Sequence, residues 1–154
     1  FKNKKYGNMN ILTNKNNIEK YICLNEFPTN NSDLNTYMLS NKSKLITRRI
    51  RKFTEKNWYE WGALRNYKTI KENLGKDCIY VNNMSRAKDI CFKDKVQFFS
   101  GSLLIMIPKQ KINLDDVVEF LNSDQFKENY MYSGRFKIGH KQLCSGLFDV
   151  PTNI

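Results

Sequence analysis

The segment YSGRFKIGHKQL carries more residues able to do chemistry than any other stretch of this sequence. It places Arg135, Lys137, His140 and Lys141 among two glycines and two aromatic residues. Glycine lets a backbone approach a phosphate closely, and amides at the start of a following helix can receive a phosphate oxygen. Arginine can also contact guanine through two acceptors in the major groove. The segment therefore favours a nucleic-acid contact over the alternative, a tight loop that docks a terminal helix.

A second basic segment, Ser85-Arg86-Ala87-Lys88, lies between two predicted strands. A basic loop in that position can follow backbone phosphates. Arg86 could equally pair with Asp89, so the structural alternative stays open. Gln142, at the end of the first segment, can read adenine in a bidentate manner.

Both tryptophans, Trp58 and Trp61, precede a further polar pair, Arg65 and Asn66, which suits base edges. We expect at least one tryptophan to be buried, because tryptophan belongs to a core more often than to a stacking platform. The predicted DNA-binding residues are Arg65, Asn66, Arg86, Lys88, Arg135, Lys137, His140, Lys141 and Gln142.

A run of arginines and lysines, Arg48 to Lys52, ends a predicted helix. Cations are favoured at the carboxyl end of a helix, so a solvated helix end explains the run as well as a clamp on DNA phosphates does. Both alternatives stay open.

The net charge of the 154 residues is +11, from 26 Lys and Arg against 15 Asp and Glu. Such an excess favours polyanionic partners, with nucleic acid first and an anionic membrane second. No apolar run approaches the length of a membrane span, and no secretory signal is visible, so we expect no membrane partner and a cytoplasmic location. Residue 1 is Phe, and we expect the chain to be a piece of a longer protein.

Enzyme motifs are absent from the sequence: there is no G-x-S-x-G, H-E-x-x-H, Walker lysine loop or G-x-G-x-x-G. His140, the single histidine, could face Cys144 one helical turn away, but nothing else supports a cysteine hydrolase. Cys78 and Cys91 lie in apolar surroundings and are predicted core residues, and no zinc site is expected. A metal-dependent nuclease would need paired carboxylates, for which the sequence offers Glu55, Glu60 and Asp77 beside Lys76 without a recognisable spacing.

The helices and strands predicted around these residues indicate an α/β (α+β) fold class. We expect a small mixed sheet with flanking short helices, preceded by a helical segment. Residues 1–27 are expected to form a flexible lead-in or linker with a possible short strand, and residues 28–154 the DNA target-recognition domain. Predicted helices are a leading one at about 33–53, capped by Ser32 or Asp33, one capped by Asn113, one at about 125–132, and a short last one from His140. Predicted strands are 18–24, 78–83, 96–107 with a turn or bulge at Gly101, and 135–138.

Four segments in this order and spacing resemble a known family: NWYEWGALRN, CIYVNNMSRAKDICF, VQFFSGSLLIMIPK and VVEFLNSDQFKENYMYSGRFKIGHKQLCS. They are similar to the carboxy-terminal target-recognition domain, of the TaqI-like specificity type, in adenine-specific DNA methyltransferases of bacterial restriction–modification systems. The earlier segment LNTYMLSNKSKLITRR is similar to the helix that precedes that domain. The resemblance covers roughly residues 25 to 151.

The catalytic half of that family uses a glycine motif for its cofactor and an Asn/Asp-Pro-Pro-Tyr/Phe motif, and this sequence contains neither. The resemblance therefore implies that methyl transfer from S-adenosylmethionine takes place in an amino-terminal methyltransferase domain outside this chain, which would flip the target adenine. This chain would bind no cofactor, hold double-stranded DNA and read flanking bases. The alternative is a DNA-specificity subunit of a multisubunit system, although such subunits usually show two recognition units joined by long helices, and neither occurs here.

Overall fold

The computed structural model describes residues 1–61 and 67–145, apart from the side chains of His140, Cys144 and Ser145. The chain divides into two compact units, residues 1–11 with 18–67 and residues 12–17 with 68–154. The predicted boundary after residue 27 lies inside the first unit. The assignment of residues 28–154 as a target-recognition domain stays a prediction.

The amino-terminal segment, expected to be a flexible lead-in, contains a β-hairpin. Strands β1 (Met9–Asn14) and β2 (Asn17–Tyr21) form a two-stranded sheet, and Asn16 takes the positive φ of 57° that their tight turn requires. Ile11 and Leu12 in β1 are buried. The surrounding polar residues conceal this pair in the sequence, because they dilute the apolar pattern.

Two short helices replace the single leading helix expected at 33–53. Helix α1 (Ser32–Ser40) begins one residue earlier than expected, with the Asn31 side chain accepting a hydrogen bond from the Leu34 amide at 3.1 Å. Helix α2 (Lys42–Ile46) follows immediately. The core of this first unit consists of Ile22, Leu34, Met38, Leu45 and Trp58. The burial of Trp58 confirms the expectation that at least one tryptophan is a core residue.

The second unit is built on a three-stranded antiparallel sheet, in the order β5 (Cys91–Lys95), β3 (Asp77–Asn82), β6 (Leu103–Met106). The central strand β3 is buried on both faces, which explains its continuous apolar run. One face packs against helix α4 (Leu114–Leu121), and the other contributes to a second apolar cluster that includes Ile70 of helix α3 (Tyr67–Asn73).

A second antiparallel sheet consists of three very short strands, in the order β4 (Met84–Ser85), β8 (Arg135–Lys137), β7 (Met131–Tyr132). Helix α5 (Asp124–Lys127) and a 3₁₀ helix (Glu128–Tyr130) precede β7, and helix α6 (His140–Ser145) follows β8. These elements confirm the α+β class. None of the helices in the described part of the chain is long and apolar enough to cross a membrane.

The strand expected at 96–107 is only partly correct. Only 103–106 is a strand, whereas 91–95 forms the unpredicted β5. Three charged residues end β5 and conceal it, but Lys95 lies opposite Asp77 in the register and pairs with it at 2.5 Å. A cross-strand ion pair thus makes charged residues compatible with the edge of this sheet.

Candidate nucleic-acid interface

Strand β8 presents two of the predicted DNA-binding residues on one side. Arg135 and Lys137 are exposed, whereas Phe136 and Ile138 are each 2% exposed and belong to the core. Successive side chains of a strand point to opposite faces, so the burial of Phe136 and Ile138 fixes the outward direction of the two cations. The strand predicted at 135–138 is confirmed.

The register of the small sheet places an apolar side chain opposite each cation. Tyr132 pairs with Arg135, and Met84 pairs with Lys137. Directly paired residues share a face of the sheet, and Tyr132 and Met84 are 50% and 46% exposed. One open face therefore carries two cations and two large apolar side chains.

The β7–β8 connection is a two-residue turn made by Ser133 and Gly134, with φ of 50° and 77°. Positive φ at both central residues is typical of a type I′ turn, whose twist matches that of the flanking strands. The predicted loop is thus a rigid hairpin tip. Gly134 is required there by its backbone conformation, as the structural alternative supposed.

The β4–β5 loop holds the next two predicted residues, Arg86 and Lys88, both exposed. Strand β4 pairs with β8 through Ser85 and Phe136, which brings Arg86 to the sheet that carries Arg135. The loop is held from outside as well, because Lys127 Nζ donates a hydrogen bond to the Lys88 carbonyl at 2.5 Å.

Asn122 fixes the far end of the same loop. Its Oδ1 accepts hydrogen bonds from the amides of Ile90 at 2.7 Å and Cys91 at 3.1 Å, and its Nδ2 donates to the Cys91 carbonyl. The sequence predicts Asn122 only as a helix breaker. Its positioning role depends on contacts more than 30 residues away and leaves no local signal.

Four exposed cations lie around the small sheet: Arg86, Lys88, Arg135 and Lys137. Among the described residues, no carboxylate forms an ion pair with any of these four, and Arg86 does not pair with Asp89. Some other lysines of the unit are paired, such as Lys93 with Asp115 at 3.7 Å, whereas Lys109 and Lys111 form no ion pair with a described carboxylate. We call the four cations around the small sheet the basic cluster: Arg86, Lys88, Arg135 and Lys137.

Helix α6 contributes Gln142 to one wall of an open concavity of about 450 Å³, which is also lined by Tyr132, Ser133, Arg135 and Lys137. Gln142 Oε1 accepts a hydrogen bond from the Gly139 amide at 2.9 Å, which caps the helix. Reading adenine would need the same oxygen as acceptor, and this role stays a prediction. Lys141 is exposed. The side chain of His140, and both Arg65 and Asn66, lie outside the described residues.

The basic run Arg48 to Lys52 does not lie at the end of a helix. Two of its arginines, Arg48 and Arg51, are also not free to bind DNA phosphates, because other groups of the protein hold them. Helix α2 ends at Ile46, before the run begins. Arg48 donates to the carbonyls of Leu45, Trp58 and Glu60 at 2.8–2.9 Å. Arg51 donates to the Glu60 carboxylate at 2.8 Å. Both guanidinium groups also lie over the Phe53 ring, at 3.9 and 4.9 Å from its centroid.

The residues considered for enzyme chemistry have other roles in the structure. Burial raises the pKa of the Cys78 thiol to about 11 and that of Cys91 to about 12, so both are protonated core residues as predicted. The His140–Cys144 pair lies outside the described side chains. Each carboxylate of the nuclease alternative has its own cation: Glu55 pairs with Lys42, Glu60 with Arg51, and Asp77 with Lys95.

Comparison with known proteins adds one relative. No protein-family model matches the chain. Over 131 residues the chain is 30% identical to the type II methyltransferase M.MjaIV of Methanocaldococcus jannaschii, an alignment that covers 82% of this chain and 43% of that protein. The chain thus spans less than half the length of the curated relative it matches. The similarity relates the chain to a type II methyltransferase. It supports the methyltransferase context inferred from the sequence, whereas the assignment to a specificity domain stays a prediction.

Proposed function

We propose that this chain is the DNA target-recognition domain of an adenine-specific methyltransferase from a type II restriction–modification system. Methyl transfer from S-adenosylmethionine would take place in an amino-terminal domain outside the chain, and the chain itself would bind no cofactor. The absence of catalytic motifs from the sequence and the partial coverage of M.MjaIV support this division of labour. The partners are double-stranded DNA and that methyltransferase domain, and the location is cytoplasmic and DNA-associated.

The observation that carries the proposal is the basic cluster. Four exposed cations lie on adjoining elements, and none of them forms an ion pair with a carboxylate of the described residues. Asp124 and Glu128 line the concavity that contains Arg86 but make no ion pair with it. Phosphate groups along a duplex would neutralise these cations and release condensed counterions, which makes binding favourable and salt-dependent. The type I′ turn and the Lys127 hydrogen bond hold the backbone of the two segments, so the entropy lost on binding comes mainly from the Arg and Lys side chains.

The β4–β5 loop is the part of the cluster best suited to phosphate. Arg86 and Lys88 flank a single alanine, and neither lies opposite a large apolar side chain in the register of the small sheet. A phosphate contact needs charge and hydrogen-bond donors but no apolar surface. We therefore assign these two residues to the DNA backbone.

Fluorescence anisotropy of the full chain with a labelled duplex of about 24 base pairs, from about 50 to 300 mM NaCl, tests the proposal. Each phosphate contact contributes about 0.9 to the slope of log affinity against log salt, so the double variant Arg86→Ala/Lys88→Ala should lower the slope by about 1.8. The proposal fails if the unmodified chain shows no salt-dependent binding to duplex DNA.

The matched control is Lys109→Ala/Lys111→Ala, which removes the same charge from elsewhere in the unit. Met106, at the end of β6, pairs with Ile79 near the beginning of β3, whereas β4 follows the end of β3. The control lysines therefore lie toward the opposite end of the sheet. Equal slope changes in the two double variants would show that net charge alone, and not the basic cluster, drives binding.

A further inference from the structure

The open face of the small sheet has more apolar surface than a phosphate site requires. Tyr132 and Met84 are about half exposed, and each lies directly opposite a cation. Exposed large apolar residues on a charged face mark a contact surface when they are grouped. Base edges in the major groove combine the two chemistries, because guanine offers two acceptors and thymine a methyl group.

The hairpin that carries this face has a narrow tip, which none of the described residues covers at Gly134. Ser133 and Gly134 are exposed, and a Cβ added to Gly134 would meet nothing within 4 Å. The major groove, about 12 Å wide, admits a two-stranded ribbon. The turn end of the sheet contains only β7 and β8, because β4 ends at Ser85, opposite Phe136. The β7–β8 hairpin is therefore compatible with lying lengthwise in the groove, with its open face toward the base edges.

We infer that the β7–β8 hairpin reads base edges in the major groove, with Arg135 and Lys137 on guanines and Tyr132 on a thymine methyl group. This inference rests on the proposed function and divides the basic cluster into base-reading residues on β8 and backbone-binding residues on the β4–β5 loop. Met84, on the neighbouring strand, supplies apolar surface beside Lys137.

The strand geometry also sets the spacing of the bases. Arg135 and Lys137 are two residues apart on one face, a distance of about 6.8 Å at about 3.4 Å per residue. One base-pair step rises about 3.4 Å. The two preferred guanines should therefore lie within two base pairs of each other.

Selection of the full chain on a duplex library with about ten random central base pairs tests this inference. The unmodified chain should enrich a motif. Arg135→Ala should abolish the preference for guanine at one position and Lys137→Ala at a position within two base pairs, each with at least about a tenfold loss of discrimination. Uracil in place of the enriched thymine should weaken binding of the unmodified chain several-fold but leave the affinity of Tyr132→Ala unchanged.

Arg86→Ala/Lys88→Ala is the internal control, which should keep the motif while its salt slope falls. The inference is overturned if Arg135→Ala and Lys137→Ala keep the motif and each lowers the salt slope by about 0.9, because they would then contact phosphates. Salt-dependent binding without any enriched motif also overturns it and leaves the proposed function standing. Failure of every duplex to bind would instead refute the proposed function. Since the substituted side chains are exposed, equal thermal midpoints should accompany all of these measurements.

Discussion

Arg48 offers the sharpest test of how this fold uses its basic residues. Its guanidinium group donates hydrogen bonds to three backbone carbonyls and lies 3.9 Å from the centre of the Phe53 ring. Burial, with a smaller effect from Arg51, lowers the pKa of Arg48, which shows that the charged form loses hydration. We expect Arg48→Ala to leave the Trp58 and Glu60 carbonyls without this donor and to loosen the segment that contains Trp58.

The magnitude follows from the contacts. A hydrogen bond to a charged group contributes about 1.5–3 kcal/mol, and a cation–π contact about 0.5–1 kcal/mol at an exposed site. Arg48 is only partly buried, and water can replace some of these hydrogen bonds in the variant. We therefore expect the free energy of unfolding to fall by about 2–4 kcal/mol, which is less than the sum of the separate contributions. Arg48→Lys should recover less than half, since a single ammonium group cannot reproduce the planar fork.

Urea unfolding followed by tryptophan fluorescence measures this change, because Trp58 is buried in the same unit. The matched control is Arg49→Ala, one residue further along and exposed, for which we expect a change below about 0.5 kcal/mol. Equal destabilisation by the Arg48 and Arg49 variants would refute the reasoning. Full stability of Arg48→Lys would also refute it, because charge without geometry would then be sufficient.

Three further changes test the elements around the candidate interface. Asn122→Ala should lower the free energy of unfolding by about 2–3 kcal/mol, measured by urea unfolding, because the Ile90 and Cys91 amides lose their acceptor. A decrease no larger than that caused by Asn129→Ala, at an exposed position, would contradict the positioning role of Asn122. Gly134→Val should lower the free energy of unfolding by about 1–2 kcal/mol, chiefly because valine disfavours a φ of 77°, since an added Cβ would meet nothing within 4 Å. Gly134→Asn should lower it less, and equal decreases for the two variants would contradict a backbone origin. Burial raises the native pKa of Cys78 from 9.0 to about 11, so its contribution to stability is fully present below pH 9 and is lost as the pH rises toward 11. The thermal midpoint should therefore fall less between pH 8 and about pH 10.5 in Cys78→Ala than in the unmodified chain, and identical falls would exclude this linkage.

Part of the fold follows from local patterns. The apolar run after Gly75 predicts the strand β3, and Asn113 followed by two aspartates predicts the start of α4, where the Asn113 side chain accepts from both aspartate amides. The alternation around Phe136 predicts β8. These elements were predictable because a few neighbouring residues suffice to determine each of them.

Other elements were missed because distant contacts override the local signal. The charged end of β5 is stabilised by pairing with β3, and the buried pair of β1 is surrounded by polar residues. Arg48 and Arg51 look like members of one basic run, yet carbonyls and a carboxylate about ten residues along the chain hold them. Only the folded chain distinguishes these structural arginines from exposed ones such as Arg49.

The sequence by itself determined the excess of positive charge, the absence of the catalytic motifs named above and the set of residues predicted to contact DNA. The tertiary structure alone decided which of them lie on the same face of a sheet. Pairing of β4 with β8 joins positions about fifty residues apart, and burial of Phe136 turns Arg135 and Lys137 outward beside Tyr132. The physical reason is that composition sets the total charge, whereas strand register and core packing decide where each charge lies and whether a carboxylate neutralises it.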